Sequence, residues 1–263
     1  MYRILSASKD AYITNKIMNN AFRATDANVG QAGTLDLFKI YNETKISGST
    51  DPQTENTRLL LKFDLTPVTT MQTQGKIDIN SEDFQCLLKL HDVYGGQTTP
   101  ENYHIIVFPL SQSFDEGSGL DVSSYRDVGS SNWITASITN GSPVLWNTAG
   151  AMKSGSLGDT NIDVIVSGSL AGPTGTSTVS LSPSQYFRTG VEDLTIDVTS
   201  IVSGTISSQI PDYGFLIGFS GSYEKNTSTY FVKRFASRNS SNTAIRPKLI
   251  IKYDDSIQDN HED

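Results

Sequence analysis

Apolar side chains recur at every second position in at least eight short segments of this chain. Leu59, Leu61, Phe63 and Leu65 alternate with Leu60, Lys62 and Asp64. Cys86, Leu88 and Leu90 alternate with Leu87, Lys89 and His91. Leu194, Ile196 and Val198 form a third set, and Phe215, Ile217 and Phe219 a fourth. Residues 230–235 and 249–253 read the same way. Tyr103, Ile105 and Val107 alternate with His104, Ile106 and Phe108, so both faces there are largely apolar. Neighbouring side chains of a strand point to opposite faces, so this pattern specifies half-buried strands. No stretch repeats convincingly at 3.6 residues. The expectation is an all-β fold, an antiparallel β-sandwich of jelly-roll type with long loop insertions. Leu59, Leu61, Phe63, Leu88, Leu90, Ile105, Val107, Ile196, Val198, Phe215, Ile217, Leu249 and Ile251 are its expected core.

The 263 residues suffice for a real core, which residues 1–253 are expected to build as one jelly-roll domain. Three stretches do not read as strands: residues 41–57, 66–84 and 154–184. The last holds 8 Ser, 5 Gly and 4 Thr, and only Asp159 and Asp163 are charged. So little apolar surface offsets ordering entropy poorly, and the segment is expected to be an insertion or extended arm, mobile until it meets a partner, in which Ile162 to Gly168 could form one strand. Apolar runs are only a few residues long, against about 20 for a membrane span. The opening MYRILSASKDAYIT lacks the apolar stretch of a secretory leader, so no export signal is expected. The single cysteine, Cys86, excludes an internal disulfide framework and a multi-cysteine zinc site. A net charge of −8 disfavours general nucleic-acid binding.

Chemistry-bearing residues are few. His91 and His104 fall on expected strands and His261 near the end, none in a hydrolase or zinc-protease context. No phosphate-binding loop is present, and no enzyme is expected. Asp115, Glu116 and Asp121 cluster in SFDEGSGLD. The first reading is an acidic turn in which Gly117 and Gly119 supply positive φ. The second is an oxygen-ligand site for a structural Ca²⁺, and a distant third is paired carboxylates for glycoside cleavage. Asp10, Asp26 and Asn28 offer a second calcium loop or a plain turn. Tyr125, Trp133 and Trp146 could stack on sugar rings; otherwise they cover the sandwich core.

Several motifs stand in a fixed order: SASKDAYITN, then Asn28-Val29-Gly30, RLLLKFDL, SFDEGSG, Trp133 and Trp146 with TAGA just after, IDVT, and finally FASRNSSNTAIRPKLIIKY. This order resembles the DNRLRE family of jelly-roll domains along nearly the whole chain. The departures are long inserts at 41–57 and 154–184, and Phe114 where the family usually has tryptophan. The resemblance implies tryptophans on the core. Family members also occur beside carbohydrate-active modules, which keeps a glycan-binding module as the alternative function. MYRILSASKDAYITNKIMNNAFRATDANVGQAGTLDLFKIY, LHDVYGGQTTP and QIPDYGF are further similar to a family of virion proteins of tailed marine and cyanobacterial bacteriophages. That implies a non-enzymatic structural protein of the virion, assembled in the host cytoplasm. Its place would be a neck, tail or baseplate adaptor, or a collar or fibre attachment. Its partners would be other virion proteins in a homo-oligomeric ring or symmetric array, without nucleic acid or membrane.

Charge near the end suggests where such partners meet. Residues 224–252 carry seven Lys or Arg and one acid, whereas residues 254–263 carry five acids and no Lys or Arg. Lys233, Arg234 and Arg238 are the expected interface cations, and the acidic tail, from Asp254 and Asp255 onward, the expected reaching arm. Arg246 precedes Pro247 at a strand start and is assigned to structure.

Overall fold

The computed structural model describes residues 1–43, 46, 53–93, 101–126, 129–172 and 174–254. In chain order the elements begin with β1 (Tyr2–Thr14), β2 (Ile17–Met18), β3 (Phe22–Arg23), β4 (Thr34–Tyr41) and β5 (Thr54–Phe63). Helix α1 (Thr66–Thr73) leads to β6 (Gln85–Leu90), β7 (Tyr103–Pro109), and the hairpin β8 (Thr135–Thr139) and β9 (Ser142–Leu145). There follow β10 (Ser154–Ser156), β11 (Val164–Gly172), β12 (Gly175–Ser180), β13 (Ser184–Phe187) and β14 (Leu194–Asp197). The last part runs through α2 (Thr199–Ile206), β15 (Phe215–Phe219), α3 (Gly221–Lys225), β16 (Phe231–Ala236), a 3-10 turn (Thr243–Ile245) and β17 (Lys248–Lys252).

Strand β1 organises the architecture because it serves two sheets. Its first part, Tyr2 to Ser6, pairs with Lys252 to Lys248 of β17. Its second part, Ala7 to Thr14, pairs with β5 from Phe63 to Thr57, after a register shift between Ala7 and Lys9. A bulge adds twist and bends a strand, which lets one strand turn the corner between layers. Hydrogen-bonded neighbours then run β13-β7-β15-β5-β1-β17-β6-β14, with β4 and β16 joined at β5. Gln185 on β13 reaches across to β14, donating to the Asp193 carbonyl at 2.9 Å and accepting from Thr195 N–H at 2.6 Å. The ends of the sheet thus approach each other, and the fold is an antiparallel, jelly-roll-like sandwich close to a barrel.

All thirteen residues expected in the core are buried. They form the main apolar cluster between the layers, joined by Val68 of α1 and by Ile201, Val202 and Ile206 of α2. A second cluster lies on the opposite face of the β1-β5-β15-β7 sheet, where Ile13, Leu60, Phe108 and Leu216 meet Phe114, Trp133, Trp146 and Val164. Burial on both faces explains why Leu59 to Leu61 and Ile105 to Phe108 lose the polar half of the alternation.

Residues 154–184, expected as an insertion or extended arm with one strand, hold the three-stranded sheet β10-β11-β12. Ile162, Ile165, Leu170 and Leu181 enter the main core and Val164 the second one. Five well-placed apolar side chains anchor a stretch whose average composition suggested no anchor. Two eight-residue helices also escaped the periodicity reading, since each buries too short a stripe to show a repeat.

Candidate functional site

The motifs that are scattered along the sequence converge at two points. The first is a polar node at the corner of β1. Glu116 lies in the loop after β7 and is 12% exposed at its side chain. Its Oε1 accepts from the Asp10 backbone N–H at 2.8 Å and from Arg238 Nε; its Oε2 accepts from Arg238 Nη2 and from Gln31 Nε2 at 3.2 Å. Asp10 Oδ2 accepts from the Arg238 backbone N–H at 2.6 Å. Asn28 is fully buried. Its Nδ2 donates to the carbonyls of Glu116 and Ser131, each at 2.8 Å, and its Oδ1 accepts from Gly119 N–H at 2.8 Å. These contacts need bare backbone. A Cβ on Gly30 would sit 1.8 Å from the Glu116 carbonyl oxygen, and one on Gly119 would sit 1.9 Å from that of Asn28. Burial pushes the Asp10 carboxyl up to about 7, and neighbouring Glu116 adds to the rise, while Arg238 opposes it.

The second point joins β5 to the second core. Arg58 donates through Nε to Glu224 Oε1 at 2.9 Å and through Nη1 to the Gly150 carbonyl. Its guanidinium lies 4.7 Å from the centre of the Trp133 ring. Trp146 Nε1 donates to the Asn132 carbonyl at 2.9 Å. Asp163, fully buried, accepts from the backbone N–H groups of Asn147, Thr148 and Lys153 at 2.6, 3.0 and 3.0 Å. It thereby holds the TAGA loop in place.

These positions settle where the expected site residues lie. Trp133 and Trp146 are 7% and 5% exposed, which corrects their reading as a sugar-stacking platform. The indoles close the second core, and Tyr125 stands apart from that cluster, half-buried, its carbonyl accepting from Asn28 N–H at 3.0 Å. Asp115, Glu116 and Asp121 do not share a site. Asp115 Oδ2 accepts from Ile138 N–H at 2.7 Å, whereas Asp121 Oδ1 caps its own turn through Ser123 and Ser124. Those donors hold the Asp121 carboxyl below the usual carboxylate range. Asp26 pairs with Arg126 at 2.7 Å, away from Asp10 and Asn28. Among the described residues, no three His, Cys, Asp or Glu side chains gather where an ion could be shared.

Of the expected interface cations, Lys233 is corrected by its burial, whereas Arg234 and Arg238 stay 35% and 30% exposed at their side chains while pairing within the fold. Lys233 is 0% exposed at its side chain and binds Asp92 Oδ1 at 2.6 Å with the carbonyls of Gly190 and Glu192 at 2.9 and 2.8 Å. Arg234 makes a two-point pair with Asp36 at 2.7 and 2.8 Å, and Arg238 makes the pair with Glu116. Arg246 donates to the Ser240 carbonyl, as a structural residue should. Asp254 is exposed; Asp255 and the rest of the tail, including His261, lie outside the described residues. No local pattern singled out Lys39, fully buried on β4, whose ammonium meets the Tyr223 carbonyl at 2.7 Å and Asn226 Oδ1 at 3.0 Å. Desolvation pulls the pKa of both buried lysines down.

Two surface grooves lie elsewhere. One, of about 430 Å³, runs between α1 and α2 and is lined by Leu65, Thr66, Thr69, Thr70, Thr205 and Ile206. The other, of about 490 Å³, lies where β1 begins and β17 ends, beside Tyr2, Asp83 and Lys252. Neither receives a carboxylate, arginine or indole of the two nodes. No helix among the described residues is long and apolar enough to cross a membrane. No protein-family model matches the chain, and no curated protein matches it significantly.

Proposed function

We propose that this chain is a non-enzymatic structural protein of a tailed bacteriophage virion, an adaptor at the neck, tail or baseplate or in collar or fibre attachment. One observation carries the reading. Asp10, Glu116, Arg58, Trp133 and Trp146, all drawn from the sequence motifs, turn inward and hold loops to the sandwich. Glu116 and Arg238 fasten the loops after β7 and β16 to β1; Arg58 and Trp133 fasten β5 to the second core. Such a protein meets its surroundings through strand edges and loops rather than through a reactive pocket. The sequence resemblance to virion proteins supports the same reading and supplies the particle.

Purified particles imaged with the labelled chain test it. The expected result is label at a fixed, symmetric position outside the head shell. Particles that lack the protein would overturn the proposal. A glycan array with the purified chain addresses the carbohydrate-binding alternative, and specific sugar binding without particle incorporation would establish that alternative instead.

A further inference from the structure

The edge of β12 differs from the strand edges of β9 and β14. In the three-stranded sheet β12 pairs only with β11, in register from Ser167 with Ser180 to Gly172 with Gly175. The other edge of β11 is covered. β10 pairs along it from Val164 to Ser167, and Gln209 closes its far end. The Gln209 side chain accepts from Ala171 N–H at 2.5 Å and donates to the Ala171 carbonyl at 3.1 Å, replacing a strand neighbour. Among the described residues no second strand lies along β12. Alternate backbone N–H and C=O groups of Gly175–Ser180 therefore face outward.

Edge strands are usually guarded by charge, proline or a bulge. β9 carries Pro143, and β14 ends in Asp197 with Asp193 just before it. β12 reads GTSTVS, with none of these devices, and is exposed at five of its six residues. Its surroundings are equally neutral, because residues 164–187 contain no Asp, Glu, Lys, Arg or His. The strand is also held in place. Val179 packs on the main core, and Leu170 of β11 packs beside Gly204 and Ile210. A pre-ordered edge loses little entropy on pairing.

We infer that β12 is a homotypic contact surface, on which two copies of this chain add edge to edge as antiparallel strands. Self-pairing is favoured by charge. Two copies of a chain with net charge −8 repel across most of their surfaces. Any two-fold register across Gly175–Ser180 opposes only Gly, Ser, Thr and Val, and Thr–Thr and Thr–Ser pairs are favourable cross-strand neighbours. A six-residue edge gives a weak contact, which a symmetric array reinforces through avidity. The inference concerns the isolated chain and does not depend on its being a virion protein.

Sedimentation velocity of the full chain, from micromolar to near-millimolar concentration, tests it. The expected result is reversible dimerisation that changes little with salt. Thr176→Lys with Thr178→Lys should weaken it at least tenfold without lowering the melting temperature, and Thr176→Glu with Thr178→Glu should do the same. Mixing the Lys and Glu variants should restore pairing, now salt-sensitive. A wild-type chain that stays monomeric throughout, or dimers indifferent to both double substitutions, would overturn the inference. Neither result bears on whether the chain is found in particles.

Discussion

Residues 113–151 and residues 154–180 are neighbouring stretches with opposite chemistry. The first holds Asp115, Glu116, Asp121, Arg126 and both tryptophans. The second holds mostly Ser, Gly and Thr. From composition the first is the place to look for a site and the second a passive insertion. The structure distributes the roles otherwise. Three conspicuous side chains of the rich stretch are drawn inward, with Glu116 bound to Arg238, Trp133 beneath Arg58 and Trp146 tied to Asn132. The poor stretch anchors four buried apolar side chains and leaves an unguarded strand edge at the surface. Buried polar groups must be paired, so reactive residue types in a small β-fold often mark places where loops need fastening. Backbone edges, which composition does not reveal, remain to meet partners.

The comparison predicts unequal losses when each stretch is altered. Trp133→Ala should have the largest effect. It removes an indole that is 7% exposed and also the ring face under the Arg58 guanidinium. Large-to-small changes of this kind cost about 3–5 kcal/mol. Urea unfolding would measure it. A loss under 1 kcal/mol would return the tryptophans to the list of surface residues and break the comparison at its stronger side.

Glu116→Ala comes next. It leaves the Asp10 N–H and one face of Arg238 without an acceptor. Arg238 is 30% exposed at its side chain and regains some water, so the expected loss is about 2–3 kcal/mol, below that for a fully buried pair. Glu116→Gln keeps one accepting oxygen but sets an amide NH2 against donors of Arg238 or Gln31, and should cost only slightly less. Equal losses for the two would show that a single accepting oxygen does nothing to hold the node.

The same node should give the protein a pH signature. Asp10 is 1% exposed, and its carboxyl titrates near 7 in the fold against 3.8 when unperturbed. Between those values the folded chain keeps a proton that the unfolded chain has released. Stability from this group is therefore full near pH 4, falls as pH rises, and levels off above 7. Asp10→Asn removes the titration while keeping an oxygen for Arg238 N–H. From pH 5 to pH 7 the variant should gain on the wild type by on the order of 1–2 kcal/mol. Parallel stability curves across that range would contradict a buried, protonated Asp10.

How far the sequence disclosed all this depends on range. Leu59, Leu88, Ile217 and their like were legible because a strand writes burial as a local two-residue repeat. The turn at Asp121 was legible for the same reason, since Ser123 and Ser124 are its immediate neighbours. The partners of Glu116 were not, because Asp10 and Arg238 lie 106 and 122 positions away. Lys233 looked like an exposed cation because nothing near it in sequence says that Asp92 waits 141 positions earlier. Residues 154–184 misled through averaging: a few apolar anchors fix a stretch whose overall composition looks like a linker.

The smallest effect should come from Thr178→Ala. Thr178 is exposed on β12 and its hydroxyl touches only Ser169 Oγ, at 3.3 Å. Surface substitutions away from caps, cavities and buried pairs stay within about 0.5 kcal/mol. Alanine lowers strand propensity slightly but leaves the β11 ladder and the Val179 anchor untouched. The chain should therefore unfold at nearly the wild-type urea midpoint when dilute. At high concentration dimerisation of the wild type would add stability by mass action, so a gap between the two proteins should open only there. A loss above 1 kcal/mol in the dilute chain would mean that β12 is part of what holds the fold, and the contrast between an inward-facing rich stretch and an outward-facing poor one would fail at its weaker side.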